Sequence, residues 1–329
     1  MDSCEIVRRT IEFGDPPRVP FFQHEIEDLP DDICDCWEMD RAKNGWFFDN
    51  PAEDDWGCGW LASEVPNMGQ VVHHPVASWD RLDRFIPPDP KDSFYYERLE
   101  QEMAAASDRY VVILCHFNLI DRLFMLHEPS RTLMDFYLEP ERIEKLLDMI
   151  LEFKLNMFRE LQRRFGGRVH ALFLTDDWGT QDNTFIGADL FEFFFLERYR
   201  QMVQEVHRNG WHFWLHSCGR INNFIPHFLD VGVDVLNMQQ PLVNGIREIG
   251  ESFAGKVCFL ATADIQHTLT SNDPLRIRGE VQQLMSSWAT TSGGVIAFRY
   301  NEPQSLGVSS DMTEVMLREF AEGSPYGSR

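Results

Sequence analysis

The sequence predicts an α/β fold, a (β/α)8 barrel, on three observations. From about residue 109 onward, short apolar runs alternate with longer amphipathic stretches. The runs are apolar almost throughout, as strands are when both faces of a parallel sheet are covered. No GxGxxG or GxxxxGK[ST] loop follows any of them, which removes the usual reason to prefer an open doubly wound sheet.

Each element can be justified in turn. RVPFFQHE (18–25) reads as a first strand. Residues 26–100 are acidic, aromatic and poor in long periodic runs, and read as an insertion that caps the barrel mouth within one domain spanning 1–329. RYVVILCHF (109–117) is a strand rich in β-branched residues. The stretch 140–166 carries Ile143, Leu146, Leu147, Ile150, Leu151, Leu155 and Phe158 at helical spacing and stops at Gly166-Gly167. HALFLTDDW (170–178) is the next strand, 190–210 a helix closed by glycine, and WHFWLHSC (211–218) the strand after it. A short helix at 222–232 precedes the strand VDVLNMQQ (233–240). KVCFLATAD (256–264), a helix at 274–290 and GVIAFRYN (294–301) complete the pattern. No internal repeat or low-complexity segment interrupts it.

Composition narrows the function classes. The chain has 329 residues, 43% of them apolar, enough for a large core, and a net charge of −23. That charge repels phosphate backbones and anionic lipid, so nucleic-acid and membrane partners are not expected. The seven cysteines lack disulfide-like spacing, the opening MDSCEIVRRT is polar, and no apolar run approaches the roughly 18–20 residues of a membrane span. These features lead to the expectation of a reducing, cytoplasmic setting.

Barrel enzymes build their sites from the C-terminal ends of strands. Those ends carry His24 and Glu25; His116 and Asn118; Asp176 and Asp177; His216 and Cys218; Asn237 and Gln239; Asp264; and Tyr300, Asn301 and Glu302. His216 and Cys218 stand out because residues two apart on a strand face the same way. An imidazole and a thiolate on one face can share a zinc ion. A thiol activated by its neighbour, or a plain core pair, would give the same spacing. Cys115 alternates away from His116, Cys258 lies near the start of its strand, and Cys34-Asp35-Cys36 and His73-His74 are weaker signals.

Taken together, several stretches resemble the uroporphyrinogen decarboxylase superfamily over nearly the whole chain. They are Pro17-Arg18-Val19-Pro20, EDDWGCGW (53–60), GQVVHHP (69–75) with Trp79 and PPDP (87–90), LTDDWGTQ (174–181), HSCG (216–219), VGVDVLNMQQP (231–241) and ADIQ (263–266). The resemblance implies a distorted barrel of the kind read above. It also implies a choice of chemistry. True decarboxylases carry an arginine-rich segment after RVP, whereas here the chain reads FFQHEIEDLPDD. HxC, DDWGTQ, EDDWG and GQVVHHP instead resemble the zinc-dependent methyltransferases that work with a corrinoid protein, and in particular their demethylating branch.

On that reading the expected activity is methyl transfer from a small O-methylated donor, such as a methoxyaromatic, to a corrinoid protein, by a chain that could form a homodimer. The expected metal ligands are His216, Cys218 and Glu302, since no cysteine follows Cys258 to complete a His/Cys/Cys set. Asp177, His116, His24 and Glu25 are the other candidates for the third position. Asp177, Tyr300 and His116 are expected to act in catalysis, and His24, Asn237 and Asp264 to bind substrate. Aromatic residues of the 46–60 region are expected to cover a planar ring. The alternatives are a decarboxylase of another small acid and a non-catalytic protein that binds a corrinoid or small ligand.

Overall fold

The structure, a computed structural model, describes residues 1–37, 52–61, 69–301 and 303–326. Eight strands form one parallel sheet: β1 (Phe21–Phe22), β2 (Ile33–Trp37), β6 (Tyr110–Cys115), β7 (Ala171–Thr175), β8 (His212–His216), β9 (Val235–Asn237), β10 (Cys258–Ala261) and β11 (Val295–Phe298). Their order is β1-β11-β10-β9-β8-β7-β6-β2. Strands β1 and β2 meet at the two ends of this order, where Asp32 N donates to Phe21 O at 2.9 Å. The sheet is thus a nearly closed barrel. Between the strands, β3 (Ala52–Glu53), β4 (Gly59–Leu61) and β5 (Gln70–His73) form a separate antiparallel sheet.

Helices Pro140–Phe165, Glu197–Arg208, Ile225–Val231, Ile246–Phe253 and Pro274–Trp288 connect successive strands and cover the barrel. None of the helices among the described residues is long and apolar enough to cross a membrane. Strand alternation divides the core in two. One residue in two, including Ile33, Val112, Leu114, Phe173, Trp214, Val235, Leu260, Ile296 and Phe298, packs inside the barrel, and the others pack against the helices. Helix Ser3–Ile11 plugs the N-terminal end, sending Val7 and Ile11 into the inner cluster. The polar ends of the strands are left to line the opposite mouth.

The stretch 26–100 departs from the expectation of a pure insertion, because ICDCW is the eighth barrel strand. Ile33 faces inward while Cys34 and Cys36 pack outward, beside helix Leu99–Ala104. Asp35 takes an inward position, where it accepts from Trp37 Nε1 at 2.8 Å and pairs with His24. The charge at that position hides the strand's alternation from a hydropathy reading. The antiparallel sheet packs over helix Leu119–Leu126, which follows β6. Asp54 organises it by accepting from Trp56 N, Cys58 N and Trp60 Nε1 and by pairing with the buried Arg122 at 3.0 Å. The EDDWGCGW motif is therefore a structural clasp.

Candidate active site

Pairing of β7 with β8 sets the site. Thr175 pairs with His216, so the chain beyond both strands brings Asp177 beside Cys218. His216 Nε2 lies 3.3 Å from Cys218 Sγ and 3.5 Å from Asp177 Oδ1. Ligand atoms of all three lie within 4.8 Å of one another. Donors held tetrahedrally at the usual zinc distances stand roughly 3.3–3.8 Å apart, so this set fits zinc.

The surrounding bonds orient each donor. Asn237 Oδ1 lies 2.7 Å from His216 Nδ1, and Asn237 Nδ2 donates to Leu260 O at 2.8 Å. The amide cannot turn without losing that second bond, so its oxygen faces the ring and Nδ1 carries the proton. The lone pair of Nε2 then faces Cys218 and Asp177, as a metal ligand requires. Asp177 Oδ1 accepts Cys218 N at 2.8 Å, and Asp177 N donates to Asp121 Oδ1 at 3.1 Å. Burial, then the Asp177 charge, pushes the Cys218 thiol well above its usual range. A bound cation would reverse that preference and favour the thiolate.

Two glycines explain why LTDDWG and HSCG meet here. Gly179 N donates to Cys218 O at 3.1 Å, and a Cβ on Gly219 would stand 2.2 Å from Gly179 O. The loops after β7 and β8 pack backbone to backbone, which presses Cys218 towards Asp177. Asp176, one residue earlier, points the other way. Its carboxylate accepts from Leu119 N, Ile120 N and Asp121 N, and so caps helix Leu119–Leu126. Burial lifts this carboxyl to about 7. Burial, followed by the charges of Asp177 and Asp176, drives Asp121 well above the usual carboxylate range.

These donors open into a cavity of about 320 Å³ at the C-terminal mouth. His116, Asp177, His216, Cys218, Asn237 and Tyr300 all line it, as does Asn301. His116 stacks on Trp37 with ring centroids 5.0 Å apart. Strand β11 lies four strands from β7 in either direction around the barrel, so Tyr300 faces Asp177 across the mouth.

Two expected residues are not brought to this cavity. His24 is outside its lining, held between Asp31 at 3.2 Å and Asp35 at 3.0 Å, and hydrogen bonds to these carboxylates lift it to about 9. Asp264 lies three residues beyond the end of β10, fully buried, where it accepts from Gln266 N and His267 N and turns the chain into the following loop. Glu302 lies outside the described residues. Glu25, another third-ligand candidate, pairs with Arg299 at 2.6 Å. Trp56 and Trp60 are buried against Phe153 and Phe117 and do not line the cavity, and residues 46–51 lie outside the described residues.

The sequence reading missed Asp121 and Trp37. Asp121 sits in the first turn of a helix, where a search of strand ends does not look. Trp37 ends β2, the strand read as insertion. Its signal was the period-two pattern of ICDCW.

Among solved structures, the chain is similar to a methyltransferase from Methanosarcina mazei, with a TM-score of 0.62, 13% identity, and coverage of 82% of this chain and 76% of that one. Two xylanases, from Gloeophyllum trabeum and Thermotoga maritima, align at TM-scores of 0.44 and 0.42 with 12% and 10% identity. They cover 70% of this chain each, and 82% and 81% of their own. No curated protein matches the chain. The family model of uroporphyrinogen decarboxylase (URO-D) matches residues 60–298, from the clasp through β11, and the chain therefore belongs to the uroporphyrinogen decarboxylase family.

Proposed function

We propose that the chain is a methyltransferase that moves a methyl group from a small O-methylated compound to the corrinoid of a partner protein, with zinc held by His216, Cys218 and Asp177. The convergence of an imidazole nitrogen, a thiol and a carboxylate at the ends of adjacent strands carries this reading. The methyltransferase that shares the fold supports it. Asp177 is taken as the third ligand because it alone joins the pair among the described residues, and the expected Glu302 lies outside them.

Bound there, zinc would act as a Lewis acid towards the donor's ether oxygen and stabilise the negative charge that develops as the methyl group leaves. The chain's own residues do the rest. Asn237 keeps His216 in the tautomer that offers Nε2. Tyr300, across the mouth from Asp177, is placed to give a proton or a hydrogen bond to the departing oxygen. His116 and Trp37 form a stacked wall that keeps water from the reacting carbon. Decarboxylation of a small acid fits less well, because no arginine or lysine among the described lining residues offers a carboxylate clamp.

Metal analysis tests the centre. Protein purified under reducing conditions without a nickel column is expected to hold near-stoichiometric zinc, and Cys218→Ser and Asp177→Ala to lose it. Wild-type protein that is folded yet stays empty when offered zinc would overturn the metal reading. Zinc-loaded protein that binds methoxylated compounds but transfers no methyl group to a reduced corrinoid would assign the chain a binding role.

A further inference from the structure

A loop beyond a strand has no ladder to fix its shape. Residues 217–221, which carry Cys218, are nonetheless mostly buried, so their backbone groups need partners. All five N–H groups find one. Ser217 N donates to Asn237 O at 3.2 Å, Cys218 N to Asp177 Oδ1 at 2.8 Å and Arg220 N to Thr180 O at 2.8 Å. Side chains of the loop after β9 take the other two. Gly219 N donates to Gln240 Oε1 at 2.9 Å, and Ile221 N to Asn244 Oδ1 at 2.9 Å. Asn244 Nδ2 in turn donates to Gly219 O at 3.0 Å. Gly219, the residue after the thiol, is thus gripped at its N–H by one amide and at its carbonyl by another.

Neither amide can turn over. Asn244 ends the single helical turn Pro241–Asn244, its Nδ2 also donates to Gln240 O at 3.1 Å, and its own carbonyl accepts Asn222 Nδ2 at 2.8 Å. Reversing the Asn244 amide would set its oxygen against two carbonyls and its NH2 against Ile221 N–H. Reversing Gln240 would set donor against donor at Gly219 N. Both side chains are buried, Gln240 at 6% and Asn244 at 1% exposure, so water does not compete for these bonds. Neither lines the cavity, so neither meets a substrate there. What they control is Cys218. Strand β8 lies between β7 and β9, and the loop after β7 already holds Cys218 through Asp177 and Gly179. Gln240 and Asn244 hold the next residue from the other side. A thiol fixed in this way is spared the ordering cost that a swinging one adds to metal binding.

We propose that Gln240 and Asn244 are positioning residues for the thiol: by gripping Gly219 from the β9 side they set Cys218 beside Asp177 before a metal arrives. The use of that placement rests on the metal reading of the site, whereas the placement itself is a property of the chain.

Two measurements on the full chain test this, one of them free of metal. In chelator-stripped protein, the rate of N-ethylmaleimide addition to Cys218, followed by peptide mass spectrometry, reports how firmly the loop is held. Titration with Co(II), whose sulfur-to-cobalt charge-transfer band needs thiolate ligation, reports how the thiol meets an ion. Gln240→Met removes the acceptor at similar volume, Gln240→Glu keeps an accepting oxygen, and Asn244→Leu removes the second grip. Gln240→Met and Asn244→Leu are expected to raise the alkylation rate at least about tenfold. The same two variants are expected to bind Co(II) about 10–100-fold more weakly, with a diminished band. Gln240→Glu is expected to stay near wild type in both. Should Asn244→Leu fail to fold, the two Gln240 variants carry the test. A folded Gln240→Met protein with wild-type rate and affinity overturns the inference, as does a Gln240→Glu protein as impaired as Gln240→Met. Faster alkylation with unchanged Co(II) affinity and band also overturns it, by confining the amides to loop stability. Wild-type protein that binds neither Co(II) nor zinc overturns the metal reading, and the alkylation contrast then decides the inference by itself.

Discussion

The side-chain oxygen of Asn237 accepts the Nδ1–H of His216 at 2.7 Å, and that bond decides which imidazole nitrogen faces Cys218. Asn237 was expected to bind substrate. It lines the cavity, yet its oxygen is committed to His216 and its nitrogen to Leu260 O, with Gln239 Nε2 a further 3.3 Å from the oxygen. Removing the acceptor frees the ring to rotate or change tautomer. Asn237→Leu is expected to weaken zinc binding about 10–100-fold, measured by competition with a chromophoric chelator. Asn237→Asp, which can still accept the N–H, should keep most of the affinity. An Asn237→Leu protein with wild-type affinity would show that packing alone holds the ring.

His24 predicts a second, pH-dependent effect outside the site. Flanked by Asp31 and Asp35, it holds its proton up to about pH 9, against an ordinary value of 6.5. The folded chain thus keeps a proton that the unfolded chain releases. The stabilisation is complete below about pH 6.5 and disappears as pH rises through 9. The ring is partly exposed, so solvent screening reduces the contribution to about 1 kcal/mol. His24→Gln should lower stability by that amount in denaturant melts at pH 6 and by nothing measurable at pH 10. An equal loss at both values would assign His24 a packing role instead.

The parts of the fold that were legible in sequence are those with one dominant energy term. Strands β6 to β11 are buried on both faces, so they read as apolar runs. Strand β2 was hidden because Asp35 breaks the inner stripe, and its cost is met by Trp37 and His24, a pairing no local pattern shows. His216 and Cys218 were legible because a strand's period of two is local. Asp177 as their third partner depends on the register between β7 and β8, which is tertiary. Asp264 and His24 lie outside the described cavity lining, because polar residues beyond strand ends also cap loops and pair with one another.

The far end of the barrel carries the opposite pH dependence. Tyr110 stacks between His170 and His212, with its hydroxyl 2.6 Å from His212 Nδ1 and donating to the His170 carbonyl at 3.0 Å. Burial lowers the pKa of both histidines. The unfolded chain takes up protons below about pH 6.5 that the folded chain refuses, so stability falls as pH drops through that range towards the lowered folded values. Thermal melts of wild type from pH 7.5 to 5 should show this decline, and His212→Gln should flatten it. An unchanged slope in that variant would place the acid sensitivity elsewhere.

The sharpest test of how the two loops build the proposed metal site compares two glycines of equal φ. Gly219 and Gly210 both have φ +76°, but an added Cβ at Gly219 would stand 2.2 Å from Gly179 O, whereas nothing lies within 4 Å at Gly210. Gly210→Ala therefore meets only the left-handed backbone penalty of about 1–2 kcal/mol. Gly219→Ala meets that penalty and must also push apart the backbones that hold Cys218 beside Asp177, at a cost of roughly 3 kcal/mol or more. Denaturant melts should separate the two variants, and zinc titration should separate them further. Gly210→Ala is expected to bind zinc as wild type does, because its strain lies at the other end of β8. Gly219→Ala is expected to bind it at least about tenfold more weakly, because widening the loops separates the thiol from the carboxylate. Equal zinc affinity in the two variants would mean that the donors find one another without the close approach of Gly179 and Gly219, and the apposition of DDWG and HSCG would then serve stability alone.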